Sequence, residues 1–194
     1  MRFCFKLDKP TIFLILAAIC VVPASIFLPY RYALESSLLE NLQLVVLAAA
    51  FVFCVKTKEH KQLFIWIAMV LVILFLREIN IFRVFFPIEG EVNTFAEWDE
   101  LRYGYLAHPL YGLFIAYTLF YFFQKKLWKI AKEYLLKVKI PTIPYILMFV
   151  GMIVGRVGEK VYKNELVEES FELLFYLSLC AIIYLYGFDK KYKT

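Results

Sequence analysis

Six long apolar stretches, separated by short charged segments, limit the folds that this chain can adopt. Of its 194 residues, 62% are hydrophobic, and the mean hydropathy is +0.68. About half of the residues in a soluble domain are apolar. A helix needs about 20 mostly apolar residues to cross a bilayer. The stretches that reach or approach this length are residues 11–29, 38–55, 63–82, 108–123, 141–159 and 169–188. We therefore predict an all-α helical bundle with six transmembrane helices, which forms a single integral membrane domain over residues 1–194.

Basic residues concentrate in alternate connecting segments, and this pattern predicts the orientation of the helices. Fifteen of the 22 Lys and Arg residues, but four of the 17 Asp and Glu residues, lie in four segments: the N-terminus, 56–61, 125–139 and 189–194. Basic loops of membrane proteins stay on the cytoplasmic side. We predict a multi-pass protein of a plasma or inner membrane with both termini in the cytoplasm. The net charge of +5 reflects this topology and does not indicate nucleic-acid binding.

Two connecting segments have the pattern of amphipathic helices that lie on a membrane surface. In 125–139, apolar residues recur every three or four positions and lysines occupy much of the opposite face, which suits an anionic cytoplasmic surface. On the other side, Thr94 and Glu97 form a capping box, and aromatic residues follow at helical spacing. We predict a short interfacial helix over 94–105, which either anchors the loop at the membrane or covers the polar residues described next.

Several apolar stretches end early in polar residues, and these ends all lie on the predicted outer side. At a rise of about 1.5 Å per helical residue, the apolar residues of these stretches alone are too few to cross about 30 Å of hydrocarbon. Polar groups at membrane depth usually face a bundle interior or a cavity. We predict an outward-facing polar pocket in spans two to six. Its candidate ligand-binding residues are Glu40, Asn41, Gln43, Arg77, Asn80, Arg83, Arg156, Glu159 and Glu169, and its candidate catalytic residues are Glu78, His108 and Glu172.

The spacing and the charge of these residues support convergence on one pocket. In four stretches two polar residues lie three positions apart, which places them on one helix face. The pairs are Glu40 and Gln43, Arg77 and Asn80, Arg156 and Glu159, and Glu169 and Glu172. Glutamates outnumber arginines in this set. An unpaired carboxylate in a low dielectric must be protonated, paired or bound to a cation.

Two kinds of chemistry fit the predicted pocket. In one, a divalent metal ion is bound by carboxylates and one imidazole and activates a water molecule. The candidate metal ligands are Glu40, Glu78, His108, Glu169 and Glu172. In the other, no metal is needed. Arg77, Arg83 and Arg156 bind an anionic head group, with Glu78 or Glu172 as general base and His108 as general acid.

We therefore predict that the pocket binds, and in one version modifies, a lipid-linked or small polar ligand, with membrane lipids as further partners. Whether the chain is an enzyme stays open at this point. One alternative is a non-catalytic membrane protein whose polar network fixes helix packing. A second alternative is a transporter coupled to protons or cations. The inner halves of the predicted spans are almost entirely apolar, which does not favour a pathway through the protein.

Overall fold

The computed structural model describes residues 2–29, 32, 38–80, 86, 98, 100, 101, 104–189, 191 and 192. Within these residues the chain forms seven α-helices and one pair of short β-strands. The helices are α1 (Lys9–Phe27), α2 (Leu38–Lys56), α3 (Lys61–Glu78), α4 (Ala107–Gln124), α5 (Leu127–Lys137), α6 (Thr142–Val157) and α7 (Glu165–Phe188). The strands are β1 (Arg2–Cys4) and β2 (Lys139–Pro141), which pair in parallel.

The predicted helical class is confirmed, and five helical segments in the described part of the chain are long and apolar enough to cross a membrane. They are Lys9–Phe27, Leu38–Lys56, Gly104–Gln124, Thr142–Tyr162 and Glu165–Phe188. The sixth predicted span, 63–82, corresponds to α3, whose 18 residues include Lys61, Arg77 and Glu78. α3 carries these three charged residues and is not among the five segments, so its crossing of a membrane stays a prediction.

The last helix, α7, lies at the centre of the fold and packs against α1, α2 and α6. Its contact with α6 is close because α6 presents glycine there. A Cβ atom added at Gly151 would lie 2.7 Å from the backbone nitrogen of Phe175. Small residues allow helix backbones to approach in this way in membrane bundles. Any larger side chain at Gly151 would separate α6 from α7.

The interior and the exterior of the helices are both apolar. A buried cluster joins α2, α3 and α7, with Leu47, Phe64 and Leu185 among its members. Large apolar side chains such as Phe13 on α1 and Leu113 on α4 are exposed. Soluble proteins seldom expose extended apolar surface. An apolar exterior is what a bilayer requires of the helices that cross it.

Both ends of the chain meet at one end of the bundle. Strand β1 pairs with β2, which directly precedes α6. The Tyr192 hydroxyl donates a hydrogen bond to Oδ2 of Asp8 at 2.9 Å. Oδ1 of Asp8 in turn accepts from the backbone N–H of Thr11 at 3.0 Å and caps α1. The described N-terminal and C-terminal residues therefore share one side of the molecule, as the predicted topology requires. Their orientation relative to a cytoplasm stays a prediction.

The two amphipathic segments differ in how far the structure describes them. The helix predicted in 125–139 is α5, with Leu127 buried and both Lys129 and Lys132 exposed. Its location on a membrane surface stays a prediction. The helix predicted over 94–105 lies largely outside the described residues. At its end, Gly104–Leu106 forms a single 3₁₀ turn that leads into α4.

Candidate functional site

Four helix ends meet at the end of the packed helices opposite the termini and line an open polar cavity of about 350 Å³. They are the first turn of α2, the last turn of α3, the end of α6 with the π-helical turn Gly158–Tyr162, and the first turns of α7. The cavity is lined by Glu40, Arg77, Glu78, Asn80, Arg156, Glu159, Glu168, Glu169 and Glu172. Eight of these residues belong to the set that the sequence indicates for a pocket, and Glu168 is the addition.

Arg77 is the centre of the hydrogen-bond network in this cavity. Its Nη2 atom lies 2.7 Å from Oε1 of Glu78 and 2.7 Å from Oε2 of Glu172, and its Nε atom donates to the same Glu78 oxygen at 2.9 Å. The Glu78 side chain is 7% exposed and that of Arg77 is 44% exposed. A carboxylate as buried as that of Glu78 needs such a partner because burial removes its hydration. The network ties the end of α3 to α7.

Tyr176 completes this network, and the sequence analysis missed it. Its hydroxyl donates to Oε1 of Glu78 at 2.6 Å and accepts from Nη2 of Arg77 at 3.0 Å. The side chain is almost fully buried. Tyr176 follows Glu172 by four residues and therefore lies on the same face of α7. That spacing was the available signal, although tyrosine is frequent in this chain and is usually counted among the apolar residues of a span.

Gln43 makes a second link, between α2 and α7. Its Nε2 atom donates to the backbone oxygen of Glu169 at 3.0 Å and to Oε2 of the same residue at 2.7 Å. The side chain is fully buried, and its Oε1 atom accepts no hydrogen bond from any described residue. Gln43 thus supports the wall of the cavity through Glu169 without lining it.

Arg156 and Glu159 form a third pair, at the rim of the cavity. The guanidinium donates to the Glu159 carboxylate across three residues of the α6 end. Their side chains are 60% and 38% exposed, so this pair is more hydrated than the network of Arg77. Gly158, at the start of the π-helical turn, lies close to Val167 of α7 and holds the rim against that helix.

Two other predicted residues do not line the cavity, and the structure does not describe a third. Asn41 is exposed on α2. His108 lies at the start of α4, where its ring contacts Trp98 at a centroid distance of 5.6 Å. Arg83 lies outside the described residues. Asn80 does line the cavity, and its φ of 47° places it in the left-handed region that ends α3.

Carboxyl groups outnumber guanidinium groups around the cavity. Six of its lining residues are glutamates and two are arginines, so its formal charge is −4 with every carboxylate ionised. Both guanidiniums are already paired with carboxylates. The carboxylate of Glu168 has no hydrogen bond or ion pair with another described residue, and it is partly exposed. Glu168 lies four residues before Glu172, so both project from one face of α7.

The geometry does not favour the metal site predicted from the sequence. Among the described residues, no group of three or more His, Cys, Asp or Glu side chains is arranged to hold a metal ion. Of the five candidate ligands, four line the cavity, namely Glu40, Glu78, Glu169 and Glu172. The fifth, His108, does not. A tightly bound divalent ion needs several ligands at short distances.

Comparison of the chain with models of protein families, with curated proteins and with solved structures found no match.

Proposed function

We propose that this chain is a six-span membrane protein whose outward-facing polar cavity binds a polar ligand that carries a positive charge. Five helices with sufficient length and apolarity support the membrane location. The shared end of the two termini supports an even number of crossings, and α3 supplies the sixth. In this arrangement the basic end, with β1, α5 and the tail, faces the cytoplasm by the distribution of Lys and Arg.

The excess of carboxylates over guanidiniums around the cavity carries the proposal for the ligand. A formal charge of −4 on nine lining residues attracts cations and repels anions. Glu168 contributes a carboxylate that no described residue pairs with. An organic ammonium group suits this arrangement better than a bare divalent ion, because the carboxylates are spread around the cavity. The ligand class is thus a small amine or a lipid whose head group ends in an ammonium.

The earlier hypothesis of an anionic head group is less well supported. The guanidinium of Arg77 already contacts two carboxylates, and that of Arg156 contacts one. An incoming phosphate or carboxylate would have to displace those partners and lie beside the remaining glutamates. A catalytic role for Glu78, His108 and Glu172 also stays a prediction. Its geometric support is weak because His108 contacts Trp98 and does not line the cavity.

A structural role for the polar network is the second candidate function. Its support is that Oε1 of Glu78 accepts three hydrogen bonds, two from Arg77 and one from Tyr176. Buried networks of this kind fix how helices pack. Transport has less support, because a buried apolar cluster of α2, α3 and α7 fills the bundle on the inner side of the cavity.

Ligand-dependent thermal unfolding in detergent tests the proposal. The probes are a short-chain phosphatidylethanolamine and a phosphatidylglycerol with the same acyl chains. A ligand at 100 times its Kd stabilises a protein by about 2.7 kcal/mol. We expect such stabilisation from the ethanolamine lipid and little from the glycerol lipid. Free ethanolamine and spermidine show whether the ammonium group suffices without the lipid.

Two variants make this test specific. Glu168→Gln removes a cavity carboxylate that is tied to no described residue, so it should weaken the effect of the ethanolamine lipid without lowering the basal melting temperature. Glu165→Gln, one turn earlier on α7 and outside the cavity lining, is the matched control. Equal stabilisation of all three proteins, or no response to any ammonium compound, would leave the structural role as the better account.

A further inference from the structure

A groove of about 380 Å³ lies between α2, α3 and α4 at the basic end of the helices. Its floor is formed by two buried residues, Cys54 of α2 and Ala68 of α3, and its rim by the exposed residues Val55 and Ile65. Pockets for small molecules have similar volumes and are lined mainly by apolar residues. Among the described residues of this lining, Lys61 alone is charged, and none of them lines the polar cavity.

The groove follows one face of α3 from the first residue of that helix. Lys61, Ile65, Ala68 and Val72 line it at spacings of four, three and four residues, which places them in one row along the helix. From Lys61 to Val72 the helix rises by roughly 16 Å. One leaflet supplies half of the hydrocarbon core, or about 15 Å. The groove therefore has the length of an acyl chain in one leaflet, and its charged residue lies at the end near the membrane surface.

Positive potential is concentrated at the Lys61 end of the groove. The connecting segment 56–61 carries three lysines and one glutamate. The N-terminus of a helix is the positive end of its dipole, and α3 has no acidic residue in its first turn to offset this charge. Lys61 is exposed and belongs to the groove lining itself. An apolar groove with a cationic end matches a ligand that carries an anionic group on an apolar chain.

We propose that this groove binds an anionic phospholipid of the cytoplasmic leaflet. One acyl chain lies along α3 between Ile65 and Val72, and the phosphate lies beside Lys61. The cytoplasmic leaflet supplies this ligand, because its surface is rich in anionic lipids. A full-length chain is needed to fill the groove, so the short-chain phosphatidylglycerol of the unfolding test should occupy it weakly. The inference rests on the membrane location proposed above and does not depend on the ligand of the polar cavity.

Photo-crosslinking in vesicles tests this site. The protein is reconstituted into phosphatidylcholine vesicles that contain a trace of full-length phosphatidylglycerol with a diazirine in one acyl chain, and the labelled peptides are identified by mass spectrometry. We expect unlabelled phosphatidylglycerol to displace the label from the peptides of α2 and α3 that line the groove. Displacement by phosphatidylcholine should need about fivefold more lipid, the contribution of one basic residue near a membrane surface. Label on the other exposed apolar faces should follow the bulk lipid composition.

Substitutions at the two ends of the groove should act differently. Lys61→Gln should remove the preference for phosphatidylglycerol and leave the labelling of the groove by the chain. Lys58→Gln is the matched control, because Lys58 is an exposed lysine at the same end that does not line the groove, and it should behave as the parent. Ile65→Trp fills the groove beside Lys61 and should abolish the displaceable labelling. Its control is Ile19→Trp, at an exposed position of α1 outside the groove.

The outcomes separate this inference from the proposed membrane location. Equal displacement by the two lipids, or equal effects of Lys61→Gln and Lys58→Gln, would overturn the groove site and leave the membrane location intact. Displacement by free oleate at lower concentrations than by phosphatidylglycerol would assign the groove to a fatty acid and would also overturn the proposal. Release of the protein from the vesicles by alkaline carbonate would contradict the membrane location together with the site. Lys61→Gln changes an exposed residue, so it decides the question even if Ile65→Trp lowers the melting temperature.

Discussion

Nη2 of Arg77 lies 2.7 Å from Oε2 of Glu172, and this contact joins the last turn of α3 to the first turns of α7. The two residues are 95 positions apart in the chain. Arg77 also neutralises Glu78, so one guanidinium serves two carboxylates. The link determines how the end of α3 is held against α7.

Arg77→Ala should therefore be strongly destabilising. It leaves the buried Glu78 carboxylate without its cation, which costs about 3–5 kcal/mol for a fully buried pair. Because the Arg77 side chain is 44% exposed, we expect roughly 2–3 kcal/mol here. Denaturant unfolding in mixed micelles provides the measurement. Arg156→Ala is the control and should cost less than about 1 kcal/mol, because its pair with Glu159 is well hydrated. Equal losses from both variants would contradict the central role of Arg77.

Tyr176→Phe should lower stability by about 1–2 kcal/mol. The substitution keeps the ring in the core and removes only the hydroxyl that donates to Glu78 at 2.6 Å. Tyr117→Phe, at an exposed position on α4, is the matched control and should be neutral. Thermal unfolding in the same detergent compares the two. If the two variants melt at the same temperature, the Tyr176 hydroxyl contributes nothing to the network.

A comparison of Gln43→Glu with Gln43→Leu should distinguish the effect of charge on stability from the effect of packing, at the contact between α2 and α7. The glutamate loses both donors and places a second carboxylate opposite Oε2 of Glu169, which is now 2.7 Å from Nε2. We expect a loss of about 2–4 kcal/mol for Gln43→Glu at neutral pH. Gln43→Leu should cost about 1 kcal/mol, because it also removes the unsatisfied Oε1 atom. The difference in stability between the two variants should become smaller in acid, because protonation of the introduced carboxylate restores a hydrogen-bond donor. Unfolding measured at two pH values will show this.

Gly151→Ala should destabilise the pairing of α6 with α7 by about 1–3 kcal/mol, as overpacking does elsewhere. The added Cβ would lie 2.7 Å from the backbone nitrogen of Phe175, which cannot move aside as a side chain can. Gly112→Ala on α4 is the control, because a Cβ there meets nothing within 4 Å. The control should gain up to about 1 kcal/mol from helix propensity. A neutral Gly151→Ala would show that α6 and α7 are less closely packed than described.

The sequence predicted the helices and the end of the bundle that gathers polar groups, because both follow from local patterns. Apolar length locates a span, and polar residues three apart share a helix face whatever the neighbouring helices do. Glu40, Arg77 and Glu169 were found in this way. Whether the cavity formed from them has a function stays a prediction.

The side chains that pair between helices could not be predicted from the sequence, because the pairing depends on how each helix is rotated relative to its neighbours. Apart from its spacing of four residues from Glu172, nothing in the sequence distinguishes Tyr176 from the other tyrosines of the spans. Glu168 is equally typical of the acidic residues in the first turn of a helix. His108 was predicted as a site residue because it begins a span on the predicted outer side, and its contact with Trp98 arises only in three dimensions. The pairing of β1 with β2 joins residues more than 130 positions apart and has no local signal.

The packing of α7 against α1, α2 and α6 has a consequence for biosynthesis. Because α1 precedes α7 in the chain, α1 leaves the ribosome well before its main partner has been made. In the proposed membrane arrangement, α1 and α2 until then expose to lipid the faces that α7 later covers, including the amide of Gln43 that pairs with Glu169. A nascent chain that stops before Glu165 therefore carries an unpaired polar group in the bilayer, a feature by which membrane quality control can distinguish it from the finished protein.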